Sequence, residues 1–307
     1  MAQPYHGLRF KVLYPFIIKN VTKMKSKYIF LFIMSALFAA CSSDNNDDDY
    51  TPTPNDVENL TLVSEISNDN HTIEIYTKTG MLYTGHNNIS LRVKNNATNA
   101  YFSHVTFDSW MPVMQMTEMS HACPKTDISK IENTNALYGM QAVFQMTNPD
   151  ASGWSFTFNY TINNEAYTAQ NTVEIWQNDH QNVTTFMGSD GSKYILALIQ
   201  PENPKIGINN MVVGLYTMES MMSFPKVANY SLTLDPRMPG MGNHSSPNNT
   251  ALTYNTSTTL YNGDLSLTMT GYWKLNLKLL DSEGTILKGE DVTDTNEASS
   301  LYLEIEF

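Results

Sequence analysis

Cysteine is almost missing from this chain: Cys41 and Cys123 are the only two among 307 residues. A disulfide-stapled scaffold and a four-thiolate zinc site are thereby excluded. Positive charge is scarce as well. Six of the 18 Lys and Arg lie before residue 41, which leaves 12 against 30 Asp and Glu, a net charge of −18. Phosphate binding needs a basic face, so nucleic acid is excluded as a partner. The acidity suits a cationic ligand or plain solubility. Outside the N-terminal segment no stretch keeps a helical period over three turns. Catalytic signatures are missing too: there is no repeated carboxylate pair, serine elbow, glycine-rich phosphate loop or three-histidine set. The chain reads as non-enzymatic.

What is present begins at the N-terminus. Lys25 and Lys27 precede an apolar run, Tyr28 to Phe38, that is too short to span a bilayer. It ends in Phe38-Ala39-Ala40-Cys41, which resembles a bacterial lipoprotein cleavage box. The resemblance implies lipidation of Cys41 and a membrane anchor there. An ordinary signal cut after Ala-x-Ala is the alternative. Residues 1–40 are then an upstream mis-start plus signal peptide. Residues 41–59, acidic and punctuated by Pro, form a flexible tether reaching about 20 Å. Acidic residues directly after the cysteine resemble the export signal of Bacteroidetes surface lipoproteins. This implies the outer membrane, at the cell surface, with the periplasmic face as the other possibility.

Beyond residue 60 strand signals dominate. Thr72–Lys78, Ile89–Val93, Val143–Met146, Trp154–Phe158 and Val173–Trp176 alternate with period two. So do Tyr194–Ile199, Met211–Tyr216, Tyr230–Leu234, Leu265–Met269, Trp273–Leu279 and Leu301–Phe307. Six or seven short strands per 110–120 residues predict an all-β chain of two tandem immunoglobulin-like antiparallel sandwiches. The domains are expected at 60–178 and 190–307, with Gln177 to Ser192 as the joint. Trp154 and Trp273 are expected in the cores.

One pattern occurs twice. Thr106, Asp108, Met111, Pro112, Met114, His121, Pro124, Tyr138 and Met146 are answered by Thr233, Asp235, Met238, Pro239, Met241, His244, Pro247, Tyr261 and Met269. Gly85-His86-Asn87-Asn88 is answered by Gly207-Ile208-Asn209-Asn210. In this alignment the Met-to-His gap is four residues longer in the first copy. Met-Pro is expected to end a strand, which puts a Met-rich loop at 111–123 and a Met/His loop at 238–244. Asp108 and Asp235 are expected to cap turns.

These landmarks, with Tyr138-Gly139, Gly153-Trp154, Tyr261-Asn262-Gly263 and Gly271-Tyr272-Trp273, resemble the YtkA-like/FixH-like domains. The second copy is the closer match. That family is a small extracytoplasmic β-sandwich, and several members are linked to copper handling. The resemblance therefore implies copper, with a copper-accepting or copper-exporting membrane protein as a further partner.

Thioether, imidazole and thiolate are the ligands that copper(I) prefers. Met111, Met114, Met116, Met119, His121 and Cys123 are candidates in the first copy; Met238, Met241, His244 and Met269 are candidates in the second. Met146 is the counterpart of Met269, and Ser246 stands where Cys123 does. A thiolate at Cys123 would make the first site tighter and more pH-dependent; a buried structural thiol is the alternative. Met218, Met221 and Met222 form a further cluster. His71, His86, His104 and His180 receive no ligand role, and His104 is expected on a strand. The two function classes are an extracytoplasmic, lipid-anchored copper(I) protein for capture, buffering or delivery, and a surface adhesion or scaffold lipoprotein whose Met-rich loops dock a protein partner.

Overall fold

The computed structural model describes residues 55–147 and 153–307. The signal segment, Cys41 and the tether up to residue 54 lie outside the described residues. Apart from one 3-10 turn, every regular element described is a strand.

The first half runs β1 (Thr61–Ser67), β2 (His71–Thr77), β3 (Gly85–Asn95), β4 (Thr106–Gln115), β5 (Ser120–His121), β6 (Ser129–Lys130), β7 (Tyr138–Phe144), β8 (Trp154–Ile162) and β9 (Glu165–Val173). These form two antiparallel sheets, ordered β1-β2-β3-β7-β6 and β5-β4-β8-β9. Alternation explains the packing. In β8, Trp154, Phe156, Phe158 and Tyr160 are fully buried, while Ser155, Thr157 and Asn159 face outward. They meet Ile73 and Ile75 of β2 and Ile89, Leu91 and Val93 of β3 in one core. Each such side chain contributes about 1.5–3 kcal/mol by leaving water. The β8–β9 hairpin turns at Asn163 and Asn164, both at positive φ (52° and 66°), which fits the twist of the two strands.

The second half runs β10 (Val183–Met187), β11 (Lys193–Gln200), β12 (Gly207–Thr217), β13 (Ser231–Met238), β14 (His244–Ser245), β15 (Leu252–Asn255), β16 (Leu260–Leu267), β17 (Tyr272–Leu280), β18 (Ile286–Lys288) and β19 (Leu301–Glu306). Their order is β10-β11-β12-β16-β15-β13-β17-β18, with β14 on β13 and β19 on β17. Because β15 bonds both β16 and β13, the two faces of this sandwich join into one sheet. The strand order β2-β3-β7-β6 facing β4-β8-β9 is that of an immunoglobulin sandwich, and β11-β12-β16-β15 with β13-β17-β19 repeats it.

The all-β sandwich expectation holds. Strand number does not: nine and ten strands replace six or seven. The expected joint at 177–192 contains β10, which pairs with β11. Its sequence, Val-Thr-Thr-Phe-Met, carries too little apolar alternation to signal a strand. His104, expected on a strand, precedes β4 instead. Each half has its own core, and residues Pro54–Phe307 form one compact unit. A small third cluster of Val143, Ile195, Ala197 and Tyr216 lies between the halves.

Candidate metal centre

Strand register decides which residues meet. On β4, Trp110, Pro112 and Met114 point inward, and Met111 points out at 37% exposure. On β13, Leu232, Pro236 and Met238 are the buried positions. Pro112 faces Phe156, and Pro236 faces Leu275. Met114 pairs with His121 across the β4–β5 hairpin, and Met238 pairs with His244 across β13–β14.

The structural counterpart of Met238 is therefore Met114, not Met111. The match by residue identity is shifted by three positions on this strand. Its four-residue insert shrinks to one residue, since His follows its paired Met by seven positions in the first half and six in the second. A bulge at Asp108, between Phe107 and Ser109, adds one residue to β4 and accounts for one of the three positions. The two Asp residues do different work on strands rather than capping turns. Asp108 accepts from Thr161 Oγ1 (2.9 Å), and Asp235 holds Arg237 through both carboxylate oxygens (2.8 and 3.0 Å).

The expected Met-rich loop at 111–123 is mostly strand. Pro112 sits within β4, where its missing N–H faces an open sheet edge. Met114 is 1% exposed and belongs to the core. Met116 packs against that core, and Met119 is half exposed at the turn, where Met116 N donates to Met119 O (2.9 Å). In the second half Met238 is buried, and Gly271, lacking a Cβ, lets its methyl approach closely. Pro239 does end that strand and opens the 3-10 turn Pro239–Met241, which leaves Met241 at 59% exposure. Met269 packs against the core, and its carbonyl accepts from Trp273 Nε1 (3.0 Å). Met146 O does the same for Trp154 Nε1 (3.1 Å).

His121 is buried beside Met114. Its Nδ1 lies 2.9 Å from the Ala122 carbonyl, an oxygen that can only accept, so Nδ1 carries the proton. Nε2 then bears a lone pair, and it is buried without a hydrogen-bond partner. An unpartnered lone pair on the residue paired with a methionine across the hairpin offers two soft-ligand types at one place. The ring stands edge-on to Trp154 at 5.4 Å. His244 is exposed, lies 6.4 Å from the Trp273 ring, and reaches Thr268 Oγ1 with Nε2 at 3.5 Å. Both halves thus place Met, His and Trp together, the first in a buried setting and the second in an open one.

Cys123 is buried at 2% exposure. Burial pushes its thiol well above the ordinary range, against weaker opposing effects from the Val143 backbone and Lys125. A neutral thiol is a poor ligand, so burial favours the structural alternative for Cys123 over the thiolate one. Its counterpart Ser246 is buried as well. Among the described residues no three His, Cys, Asp or Glu side chains converge.

Other matched features frame these pairs. Asn87 Nδ2 donates to Tyr83 O and Gly85 O, while Tyr83 N donates to its Oδ1. Asn209 makes the same three bonds to Lys205 and Gly207. Tyr138 Oη donates to Ser103 O and accepts from Val105 N; Tyr261 Oη does so with Val227 O and Tyr230 N.

Sequence reasoning gave the two tryptophans only a core role and missed that each faces the paired histidine. The recurring Trp shortly after a Gly (Gly153-Trp154, Gly271-Tyr272-Trp273), read with strand pairing, was the available signal. No family model matches the chain, and no curated protein matches it.

Proposed function

We propose that the protein binds copper(I) outside the cytoplasm, through Met114 and His121 in the first half and Met238 and His244 in the second. The observation that carries this reading is the lone pair on His121 Nε2, buried and unpartnered, on the residue that Met114 pairs with across the hairpin. Bound there, copper(I) would supply no catalysis; it is the cargo. His121 is oriented by Ala122, Met114 is fixed by its place in β4, and Trp154 closes the site on one side. Met241 and Met269 adjoin the second site, and Met116 and Met119 the first. Thioethers suit an oxidising compartment because they bind copper(I) and form no disulfides. The lipoprotein-like Cys41 would anchor the protein at the outer membrane, for capture, buffering or delivery to a membrane-bound acceptor.

The test is a copper(I) titration of residues 42–307 against a competing chelator. About two ions should bind, and the double variant His121→Ala/His244→Ala should lose them. Binding no tighter than that variant's would overturn the reading. It would favour the second class, a surface lipoprotein docking a protein partner, which the exposure of Met111, Met119, Met221, Met222 and Met241 supports.

A further inference from the structure

The tight turn Ser220–Ser223 belongs to the second half, yet it is bonded to the first beside His121. Ala122 N donates to Met221 O at 2.8 Å. The carbonyl of the same Ala122 accepts from His121 Nδ1. One residue therefore ties the candidate ligand ring to the Met221 turn. The turn itself is closed by Glu219 N to Ser223 O (3.1 Å) and by Met222 N to Ser220 Oγ (3.2 Å). Closure holds Met221 and Met222 at 43% and 46% exposure. Met119, at 50% exposure, lies three residues before Ala122, about 10 Å along an extended chain. Exposed thioethers from both halves thus border the strand that carries His121. Met116 is partly buried against the first core, and Met114 is buried within it.

We propose that the 220–223 turn completes the first metal site: Met221, Met222 and Met119 form a surface entry of soft ligands, from which copper(I) passes to Met114 and His121 Nε2. This rests on the copper(I) reading above. The step is ligand exchange alone. Neutral thioethers release and accept the ion, so no proton or electron moves. A single folded unit is required, because the entry and the buried pair come from different halves.

Silver(I), a soft ion with the same ligand preference and no redox chemistry under these conditions, is the probe. It is titrated into residues 42–307, which retain the whole compact unit, with methionine methyl NMR as the readout. In the parent chain the Met119, Met221 and Met222 methyls should shift together with Met114. In Met221→Leu/Met222→Leu, a near-isosteric change at exposed positions, affinity at the first site should fall at least tenfold while Met238 shifts as before. Met119→Leu should act in the same direction. Unchanged affinity and unchanged Met114 shifts in both variants would overturn the proposal and leave the copper reading standing. No methionine shift in either half of the parent chain would overturn both.

Discussion

His121 meets Trp154 edge to face, with ring centroids 5.4 Å apart and planes at 88°, while His244 leans over Trp273 at 6.4 Å and 58°. Both indoles are pinned, since each Nε1 donates to a methionine carbonyl. An ion held by the histidine and its paired methionine must therefore lie close to an indole. Copper(I) or silver(I) should quench or shift tryptophan emission, with Trp154→Phe removing the response of the first half and Trp273→Phe that of the second. Emission that ignores the metal in the parent chain would place the ion elsewhere.

Truncation separates the buried methionines from the exposed one. Met114 and Met238 are core residues, so Met114→Ala and Met238→Ala should each cost about 2–5 kcal/mol. Met111 projects from the outer face of β4, and Met111→Ala should stay within about 0.5 kcal/mol of the parent. Chemical denaturation of the three variants measures the difference. Equal losses at Met111 and Met114 would contradict the register.

Most of the fold was legible because β8 and β17 alternate cleanly and carry large apolar side chains. The candidate site was legible only in part. Met-Pro-x-Met occurs in both halves, and identity set Met111 against Met238. Strand pairing sets Met114 there instead, and the Asp108 bulge accounts for one of the three positions between the two matches. No local pattern in the sequence marks a bulge, and none shows that Met221 reaches Ala122 from a hundred residues away. Burial of Cys123 was one of the two readings open to it, and Tyr216 of the other half lies near it. The two lie close enough that the thiol's charge would help raise the Tyr216 hydroxyl, which burial mainly pushes to about 12.

The asparagine anchors offer a test of how alike the halves are. Asn87 and Asn209 each replace three backbone partners at the entry to a central strand. Asn87→Ala and Asn209→Ala leave a buried amide and carbonyls unpaired. Each should cost about 1–3 kcal/mol, and the two losses should be similar. A loss at only one position, read from denaturation midpoints, would mean the two loops bear load differently.

Acid should weaken the fold before any carboxylate titrates. Burial holds the imidazoles of His71 and His86 below their ordinary value of 6.5. A Gln141 hydrogen bond and nearby Glu202 oppose the shift at His86, and Tyr160 Oη faces His71. The unfolded chain therefore binds more protons than the folded one once pH drops below 6.5. Stability rises with pH in that window and is lost as pH falls. Denaturation midpoints measured from about pH 7 to 5 should decline, and His86→Gln should flatten the slope. A flat profile in the parent chain would mean that both rings take up protons in the fold as readily as in the unfolded chain.

Cys123 gives the sharpest test of how the first site is built. Its thiol is buried and held neutral, so iodoacetamide should leave it unmodified in the folded protein and label it fully in denaturant. Cys123→Ser should leave copper(I) affinity at the first site within about twofold of the parent, with no change in its pH dependence, because no thiolate is lost. The same substitution should still cost stability, about 1–3 kcal/mol. The matched Ser246 meets Ser266 Oγ at 3.4 Å, whereas the first half has Val143 at the position matching Ser266, because Phe144 and Leu267 both pair with the glycine that opens the neighbouring strand. A serine at position 123 would bury a hydroxyl without that partner. Rapid alkylation of the native protein, or a tenfold loss of copper(I) affinity in Cys123→Ser with stability intact, would restore the thiol as a ligand and displace Met114 and His121 as the centre of the site.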